Sequence, residues 1–130
     1  MAQFSIKRCN IGTEPEVVSI DEERALVKFA VAENHSKRVY NKKEKKYEWE
    51  DAGTSWYHLS IFGNESDIGD PDDNLTVINQ AANLVPGDTI KVIDGRVQQN
   101  VWENDEGEKR YGWNWIVNDF KIVKYAEEDD

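Results

Sequence analysis

The sequence predicts an all-β fold with one short helix, in which five strands close into a Greek-key barrel that carries a long protruding β-hairpin. Alternating apolar residues indicate strands on both sides of a single helix-like segment, which precedes the fourth strand. Residues 33–51 are highly charged and short of aliphatic side chains, which predicts the protruding hairpin or a mobile loop. Gly95 interrupts a long strand and indicates a bulge or sharp bend, as closure of a sheet requires.

The elements follow one another in a regular order along the chain. The predicted strands span 4–11 with a short continuation at 17–20, then 25–32, 55–62, 89–102 and 110–123, and the turn at 12–15 contains Gly and Pro. Apolar residues at 75, 78, 81 or 82 and 84 predict a short helix, capped by Asp73 or Asn74. The order favours a barrel of the oligonucleotide-binding (OB) type, with a flat sheet and one helix as the alternative.

Length and composition restrict the class of protein. A chain of 130 residues with 11% aromatic residues is expected to form one domain with its own core. Cys9 is the single cysteine, which excludes an internal disulfide and is typical of a reducing compartment. The first residues do not resemble a signal peptide, and no apolar run reaches the roughly 20 residues that span a bilayer. We therefore expect a soluble intracellular protein without a membrane partner.

The charge is strongly negative but unevenly distributed. The formal net charge is -10, yet residues 64–74 and 127–130 hold nine of the 26 acidic residues and no Lys or Arg. Residues 37–46 gather six cations against Glu44 alone. Such a basic segment on an acidic chain is compatible with phosphate binding, because the local charge matters more than the sum.

Two predicted strands carry aromatic and polar residues along one face. Side chains alternate along a strand, so Trp56, His58, Ser60 and Phe62 share the face opposite Tyr57, Leu59 and Ile61. In the fourth strand Arg96, Gln98, Asn100 and Trp102 share the face opposite Val97 and Val101. Aromatic rings can stack on unpaired bases, while the neighbouring cationic and amide groups hold the phosphates and sugars. This pattern predicts a binding surface for a nucleic acid single strand.

Four segments resemble the bacterial and phage single-stranded-DNA-binding (SSB) proteins over nearly the whole chain. Residues 10–16, NIGTEPE, are similar to the family's N-L-x-x-D-P-E turn, and residues 29–32, FAVA, to its F-S-V-A strand. Residues 56–63, WYHLSIFG, resemble W-H-x-V-x-F-G. Residues 87–111, with Gly87, Gly95, Trp102 and Arg110-Tyr111, resemble K-G-x-x-V-x-V-E-G-x-L-x-x-x-x-W followed by G-x-x-R-Y.

The resemblance implies which residues would contact single-stranded DNA. It implies base stacking by Trp56, Phe62 and Trp102, with one further ring from the hairpin among Tyr40, Tyr47 and Trp49. The residues expected to contact the backbone or to make polar contacts are Arg96, Lys37, Arg38, Lys42, Lys43, Lys45, Lys46, His58, Gln98, Asn100, Lys7 and Arg8. It further implies a homotetramer, with a dimer as the alternative, in the cytoplasm of a bacterial or phage-infected cell and associated with the nucleoid.

Some features depart from the family pattern. Lys7 and Arg8 occupy positions that are usually apolar, and residues 64–74 form a longer, more acidic link than the family has. Bacterial members end in a disordered linker and an acidic tip closed by Pro-Phe, whereas residues 125–130 form a short acidic tail that ends in Asp129-Asp130. We therefore expect a binding domain at 1–124 without the usual recruitment tip for replication or recombination proteins, as in a phage or plasmid member.

Several other motifs favour structural interpretations. Trp113 and Trp115 share a face of the last strand, and we expect them in the core or at a subunit interface. The aspartates between 67 and 73 do not match a calcium loop, so we expect an exposed acidic loop with no metal and no cofactor. His35, His58 and Cys9 lack a nucleophile motif, and we expect no enzymatic activity.

The sequence thus predicts a non-enzymatic protein that binds and protects single-stranded DNA, independently of its sequence, during replication, recombination and repair. Two alternatives remain open. The same barrel could be a primosome-like or phage accessory module that binds a protein through its negative surface and has little affinity for DNA. It could also be an RNA-binding module similar to cold-shock domains.

Overall fold

The computed structural model describes residues 2–126. Its elements are β1 (Ala2–Ile11), β2 (Glu16–Ser19), β3 (Arg24–Asn41), β4 (Lys46–Asn64), a 3-10 turn (Glu65–Asp67), α1 (Val77–Ala82), β5 (Thr89–Glu103) and β6 (Lys109–Lys124). No helix in this range is both long and apolar enough to span a membrane. The acidic residues at 127–130 lie outside the described residues.

The sheet closes on itself. Its strand order is β1-β5-β6-β4-β3-β2, and β1 also pairs with β3 through Asn10 opposite Ala32 and Ile11 opposite Val31. β4 and β6 pair in parallel, while the other pairings are antiparallel. The short β2 continues the edge of β1 along β3, as the predicted strand at 17–20 suggests. The OB-type barrel of five strands, with β2 as an extra strand, is confirmed, and the flat-sheet alternative is wrong.

The barrel interior is filled by the alternate residues that the sequence pattern selects. Val27 and Val31 of β3 and Leu59 and Ile61 of β4 are at most 1% exposed. The helix α1 places Ile78, Ala81 and the nearby Leu84 against this core and covers one end of the barrel. These apolar contacts supply the main stabilisation of the fold.

The helix begins later than predicted. Thr76 is its N-cap, because its hydroxyl oxygen accepts a hydrogen bond from the Asn79 N–H at 3.4 Å. The prediction of Asp73 or Asn74 as the cap is wrong. The Asp73 carboxylate accepts from the Leu75 N–H instead, at 2.9 Å, and so stabilises the turn that precedes the helix.

β-Bulges account for the charged pair Lys7 and Arg8 in β1 and for the glycine in β5. Between Ile6, opposite Val92, and Cys9, opposite Ile90, the two residues Lys7 and Arg8 face a single residue of β5. The bulge keeps Ile6 and Cys9 in the core and leaves Lys7 and Arg8 exposed. Because these two side chains face solvent, charged residues are tolerated at positions where the resembled family usually has apolar ones. On β5 the register also shifts between Val92 and Gly95, as the glycine predicts.

Asn79 folds the acidic loop at 64–74 onto α1. Its side chain is 1% exposed, and its Oδ1 accepts from the Gly69 N–H at 2.8 Å. Its Nδ2 donates to the carbonyl oxygens of Asp70 at 2.6 Å and Asp73 at 2.9 Å. One buried amide therefore satisfies three backbone groups of the loop, which is why a polar side chain is tolerated next to the core.

We expect Asn79→Ala to lower the free energy of unfolding by about 1–3 kcal/mol, because the three loop groups lose their partner near the core. Urea denaturation followed by circular dichroism measures this. The matched control is Asn100→Ala, since Asn100 is exposed, and it should change the stability by less than about 0.5 kcal/mol. Equal midpoints for both variants would show that Asn79 does not stabilise the loop.

Candidate nucleic-acid interface

The outer surface of the barrel is one continuous face across four strands. The register aligns Lys28 of β3 with Ser60 of β4, Ser60 with Ile116 of β6, and Ile116 with Arg96 of β5. Because paired residues share a face of the sheet, this row fixes which side chains point outward. We call this surface the outer face. Trp56, His58 and Phe62 follow the same parity on β4, and Gln98, Asn100 and Trp102 follow it on β5, as predicted.

Three half-exposed rings lie on the outer face, and glycines support two of them. Trp56 is 58% exposed, and its six-membered ring occupies the space that a Cβ on Gly12 would need. The backbone of Gly12 is held by its N–H, which donates to the Ala30 carbonyl at 2.9 Å. Trp102 packs in the same way on Gly112, where a Cβ would lie 3.1 Å from the ring. The glycines thus hold the indoles in place while leaving much of each ring free.

Phe62, the third ring, shares a groove with polar residues of β3 and β5. Arg24, Arg96 and Gln98 line this groove, which has a volume of about 420 Å³. The Arg96 guanidinium donates to Asn118 Oδ1 at 2.9 Å, which restricts its orientation. Sequence parity alone could not show that Phe62 of β4 lies near Arg96 and Gln98 of β5, because that proximity requires β6 between them.

The predicted hairpin exists, because β3 and β4 remain paired as far as Asn41 opposite Lys46. A bulge interrupts the pairing between Asn34, opposite Thr54, and Ser36, opposite Asp51. In this bulge Gly53 has φ +100°, a conformation that favours glycine. One residue of β3 therefore faces two of β4, and the side-chain alternation of β4 is reversed beyond this point.

The bulge brings the hairpin aromatics onto the face of Trp56. On β3 the even-numbered residues keep one face, and the register pairs Tyr40 with Tyr47 and Arg38 with Trp49. The Tyr40 and Tyr47 ring centroids lie 5.1 Å apart, and the Arg38 guanidinium carbon lies 4.0 Å from the Tyr47 centroid. Trp49 is 72% exposed. All three candidate rings of the hairpin are therefore accessible, and the geometry does not single out one.

The cations of the hairpin divide into two groups. Arg38 lies on the face of the rings, and Lys42, Lys43 and Lys45 occupy the exposed turn. Lys37 pairs with Glu50 and Lys46 with Asn41, so both alternate to the opposite face. The Lys46 ammonium also lies 3.0 Å from the Glu44 carboxylate. The structure thus gathers four of the six predicted cations at the ring face or at the tip.

Lys7 and Arg8 are not gathered with these residues. They lie in the β1 bulge opposite Lys91, and β5 and β6 separate β1 from β4 on that side of the barrel. They form a separate exposed cationic patch.

Trp113 does not lie in the core, whereas Trp115 is partly buried there, and a subunit-interface position for Trp113 stays a prediction. The Trp115 ring packs against Phe4, with centroids 5.1 Å apart, and against Tyr57 at 5.5 Å. Trp113 is 63% exposed, because the pairing of β4 with β6 ends at Leu59 and Trp115. A groove of about 540 Å³ lies where the two strands separate and is lined by Lys28, His58, Asn114 and Trp113. The pairing of Trp113 with Gln99 gives its side chain the parity of Trp115, opposite the outer face. Sequence parity groups Trp113 with Trp115 and gives no sign of where the strands separate.

Cys9 has the environment of a core residue. Its thiol is 1% exposed and lies 3.8 Å from the Ile90 carbonyl oxygen. Burial, and secondarily the Glu33 carboxylate, raise the pKa of this thiol to about 12, so that it stays protonated at neutral pH. Within residues 2–126 no three His, Cys, Asp or Glu side chains are placed to hold a metal ion.

Comparisons with known proteins find similarity to this chain in the fold. No family model and no curated protein sequence matches the chain. Among solved structures, 95% of the chain aligns with 96% of a Plasmodium falciparum SSB in complex with ssDNA, at 13% identity and a TM-score of 0.61. The same share aligns with 96% of the yeast mitochondrial single-stranded DNA-binding protein Rim1, at 19% identity and a TM-score of 0.56.

A third similar structure is a deletion mutant of the single-stranded DNA-binding protein from Thermus aquaticus. The chain aligns over 95% of its own length at 14% identity and a TM-score of 0.64, but it covers only 51% of that protein. The three likenesses establish that this chain has the barrel fold of single-stranded-DNA-binding proteins.

Proposed function

We propose that this protein binds single-stranded DNA independently of its sequence, and that it protects exposed strands during replication, recombination and repair. The observation that carries the proposal is the outer face, on which Trp56, Phe62 and Trp102 are half exposed among cationic and amide side chains. The likeness to three DNA-binding proteins of the same fold supports it. The proposed function requires no catalytic group and no cofactor.

The spacing of the rings suits an extended, unpaired strand. Trp56 and Phe62 are six residues apart on one strand, which corresponds to about 20 Å. A strand that stacks on both rings must therefore place several nucleotides along β4. A duplex cannot use these rings in this way, because its bases are already stacked and paired. The rings thus favour single strands over duplex DNA.

The cations of the hairpin supply attraction for phosphates despite the negative net charge. The tip carries Lys42, Lys43 and Lys45, with Arg38 on the ring face. Many of the acidic residues lie elsewhere, including those of the loop that Asn79 holds on α1. Phosphates that contact the hairpin would release counterions, so binding should weaken as salt is added.

We expect the triple variant Lys42→Gln, Lys43→Gln, Lys45→Gln to bind oligo-dT more weakly at low salt and with a smaller salt dependence. Each lost phosphate contact should reduce the slope of log K against log salt concentration by about 0.7. Fluorescence anisotropy with labelled oligo-dT at several salt concentrations measures both quantities.

The control neutralises Lys121 and Lys124, which lie near the C-terminal end of β6, away from the β3–β4 hairpin and from the β1 strand that carries Lys7 and Arg8. Its slope should stay close to that of the unaltered protein. If the unaltered protein does not bind oligo-dT at low salt, the proposed function is wrong and the protein-interaction alternative is favoured. Equal or tighter binding of an RNA oligonucleotide would favour an RNA-binding module.

The assembly and location are further parts of the proposal. The motif resemblance supports a homotetramer, with a dimer as the alternative, which light scattering after size-exclusion chromatography distinguishes by mass. It also supports a cytoplasmic, nucleoid-associated location and a division into a binding domain at 1–124 and an acidic tail at 125–130. The basic patch of Lys7 and Arg8 would then be a secondary phosphate contact.

A further inference from the structure

We infer that Lys28 and His58 form a phosphate-binding subsite on the outer face between Trp56 and Phe62, and that protonation of His58 makes the binding of DNA depend on pH. The inference rests on the proposed binding of single-stranded DNA, to which it adds a contact residue, Lys28, and a means of regulation. Both residues line the groove of about 540 Å³.

The register places the subsite on the outer face, on the path between the two rings. Lys28 of β3 pairs with Ser60 of β4, and His58 of β4 pairs with Ala30 of β3. His58 and Ser60 both lie between the rings along β4. Because the rings are about 20 Å apart, a strand that stacks on both must pass over these two residues.

The floor of the groove suits the backbone of the strand rather than a further stacked base. Ala30 and Ser60 are small, so the sheet is approachable between the rings. Trp113 and Trp115 border the groove, but their pairing with Gln99 and Val97 gives them the parity opposite the outer face. The sugar and phosphate groups that join the stacked bases therefore lie closest to the sheet here.

Two side chains of the groove can carry a positive charge. These are Lys28 and His58, and both are exposed. Within residues 2–126 neither of them takes part in a salt bridge. Both are therefore available to a phosphate, with which a charged donor forms a stronger hydrogen bond than a neutral one.

The acidic residues of the groove lie at its other edge. Glu16 pairs with Lys28 from β2, which lies on the side of β3 away from β4. Glu14 belongs to the turn that precedes β2, and Asn114, which faces the groove from β6, is neutral. The charged groups that face His58 are thus Lys28 and these two carboxylates. Because carboxylates repel phosphate, they direct it toward β4 and His58.

Protonation of His58 changes the charge of the subsite from one to two. A histidine side chain ordinarily gains its proton as the pH falls from about 7.5 to 5.5. The protonated ring is positively charged and has two N–H donors, whereas a phosphodiester keeps its negative charge throughout this range. Binding of DNA is then coupled to uptake of a proton by this ring. The affinity is therefore higher at pH 5.5 and falls as the pH rises to 7.5.

The first test measures binding of oligo-dT by anisotropy at pH 5.5 and 7.5, at constant ionic strength. Thymine gains no proton in this range. The matched control for His58→Gln is His35→Gln, because His35 is the other histidine of the chain and bonds to Ser55, which shares the face of Tyr57. We expect about fivefold tighter binding at pH 5.5 for the unaltered protein and for His35→Gln, and less than about twofold for His58→Gln.

The second test examines Lys28 at pH 7.5. We expect Lys28→Gln to weaken binding about fivefold and to reduce the slope of log K against log salt concentration by about 0.7, as for one lost phosphate contact. Lys28→Arg, which keeps the charge, should restore most of both. The control is Lys121→Gln, an exposed lysine of β6 outside the groove, which should change the affinity less than about twofold.

The outcomes separate this inference from the proposed function. If the unaltered protein binds oligo-dT equally well at both pH values, or if His58→Gln keeps the pH response, the regulatory role of His58 is wrong and the proposed function stands. Equal affinities of Lys28→Gln and Lys121→Gln would overturn the role of Lys28 in the same way. If the unaltered protein binds at neither pH, the proposed function fails and this inference fails with it. Circular dichroism at both pH values checks that each variant is folded.

Discussion

Replacing Trp56 or Phe62 with alanine will weaken the binding of oligo-dT about tenfold in each case, and replacing both will weaken it about a hundredfold. Base stacking on one aromatic ring contributes about 1–3 kcal/mol by alanine substitution. Because the two residues lie about 20 Å apart on β4, they would contact different bases, and their effects should add in free energy. Fluorescence anisotropy with labelled oligo-dT at a fixed salt concentration measures the three affinities.

The control for this series is Tyr125→Ala. Tyr125 is 50% exposed, close to the exposure of the stacking candidates, but it lies near Asn83 and Val85 beyond the end of β6. Its replacement should leave the affinity unchanged. Circular dichroism checks that each variant is folded. Affinities of the Trp56 and Phe62 variants within about twofold of the unaltered protein would exclude the outer face as the stacking surface.

Gly95→Ala should strongly destabilise the barrel. The added methyl group would overlap the Phe4 ring and lie 2.8 Å from the Ile116 carbonyl oxygen, and a backbone atom in a paired strand cannot move away easily. Overpacking of this kind costs about 1–3 kcal/mol. We expect the Tm to fall by roughly 5–10 °C, measured by thermal unfolding.

A second glycine provides the control for Gly95. Gly69 has no heavy atom within 4 Å of the position of an added Cβ. Gly69→Ala should therefore leave the Tm within about 2 °C of that of the unaltered protein. Equal Tm values for the two alanine variants would mean that Phe4 and Ile116 do not restrict this part of β5.

The sequence is sufficient to predict the strands that bury one face. Val27, Phe29 and Val31 alternate with other residues along β3, and the structure places all three in the core. The same pattern predicts Leu59 and Ile61 as core residues, and both are 1% exposed. Such positions can be predicted because a period of two residues and burial of one face are both visible in the chain itself.

Contacts between strands that are far apart in sequence are harder to predict. The groove that joins Phe62 to Arg96 depends on the pairing of Ser60 with Ile116, residues far apart in sequence. The exposure of Trp113 depends on where β4 and β6 separate. Local periodicity contains no information about either point, and this is why the sequence groups Trp113 with Trp115, in the core or at a subunit interface.

The hairpin shows a third limit of sequence-based prediction. Counting alternate residues from Trp56 backwards places Tyr47 and Trp49 on the wrong face, because the bulge at Gly53 adds one residue to β4. The even-numbered residues of β3 give the correct face, and the pairing of Tyr40 with Tyr47 shows it directly. A single glycine among charged residues is too weak a signal to predict that bulge.

The most direct test of the central claim is a titration of the intrinsic tryptophan fluorescence with oligo-dT, with duplex DNA of the same length as the control. Stacking of bases on the exposed indoles predicts strong quenching by the single strand, little change with the duplex, and a weaker response at higher salt. Unchanged fluorescence with no binding at low salt, or equal quenching by both forms of DNA, would contradict the claim that this protein binds unpaired DNA through its aromatic outer face.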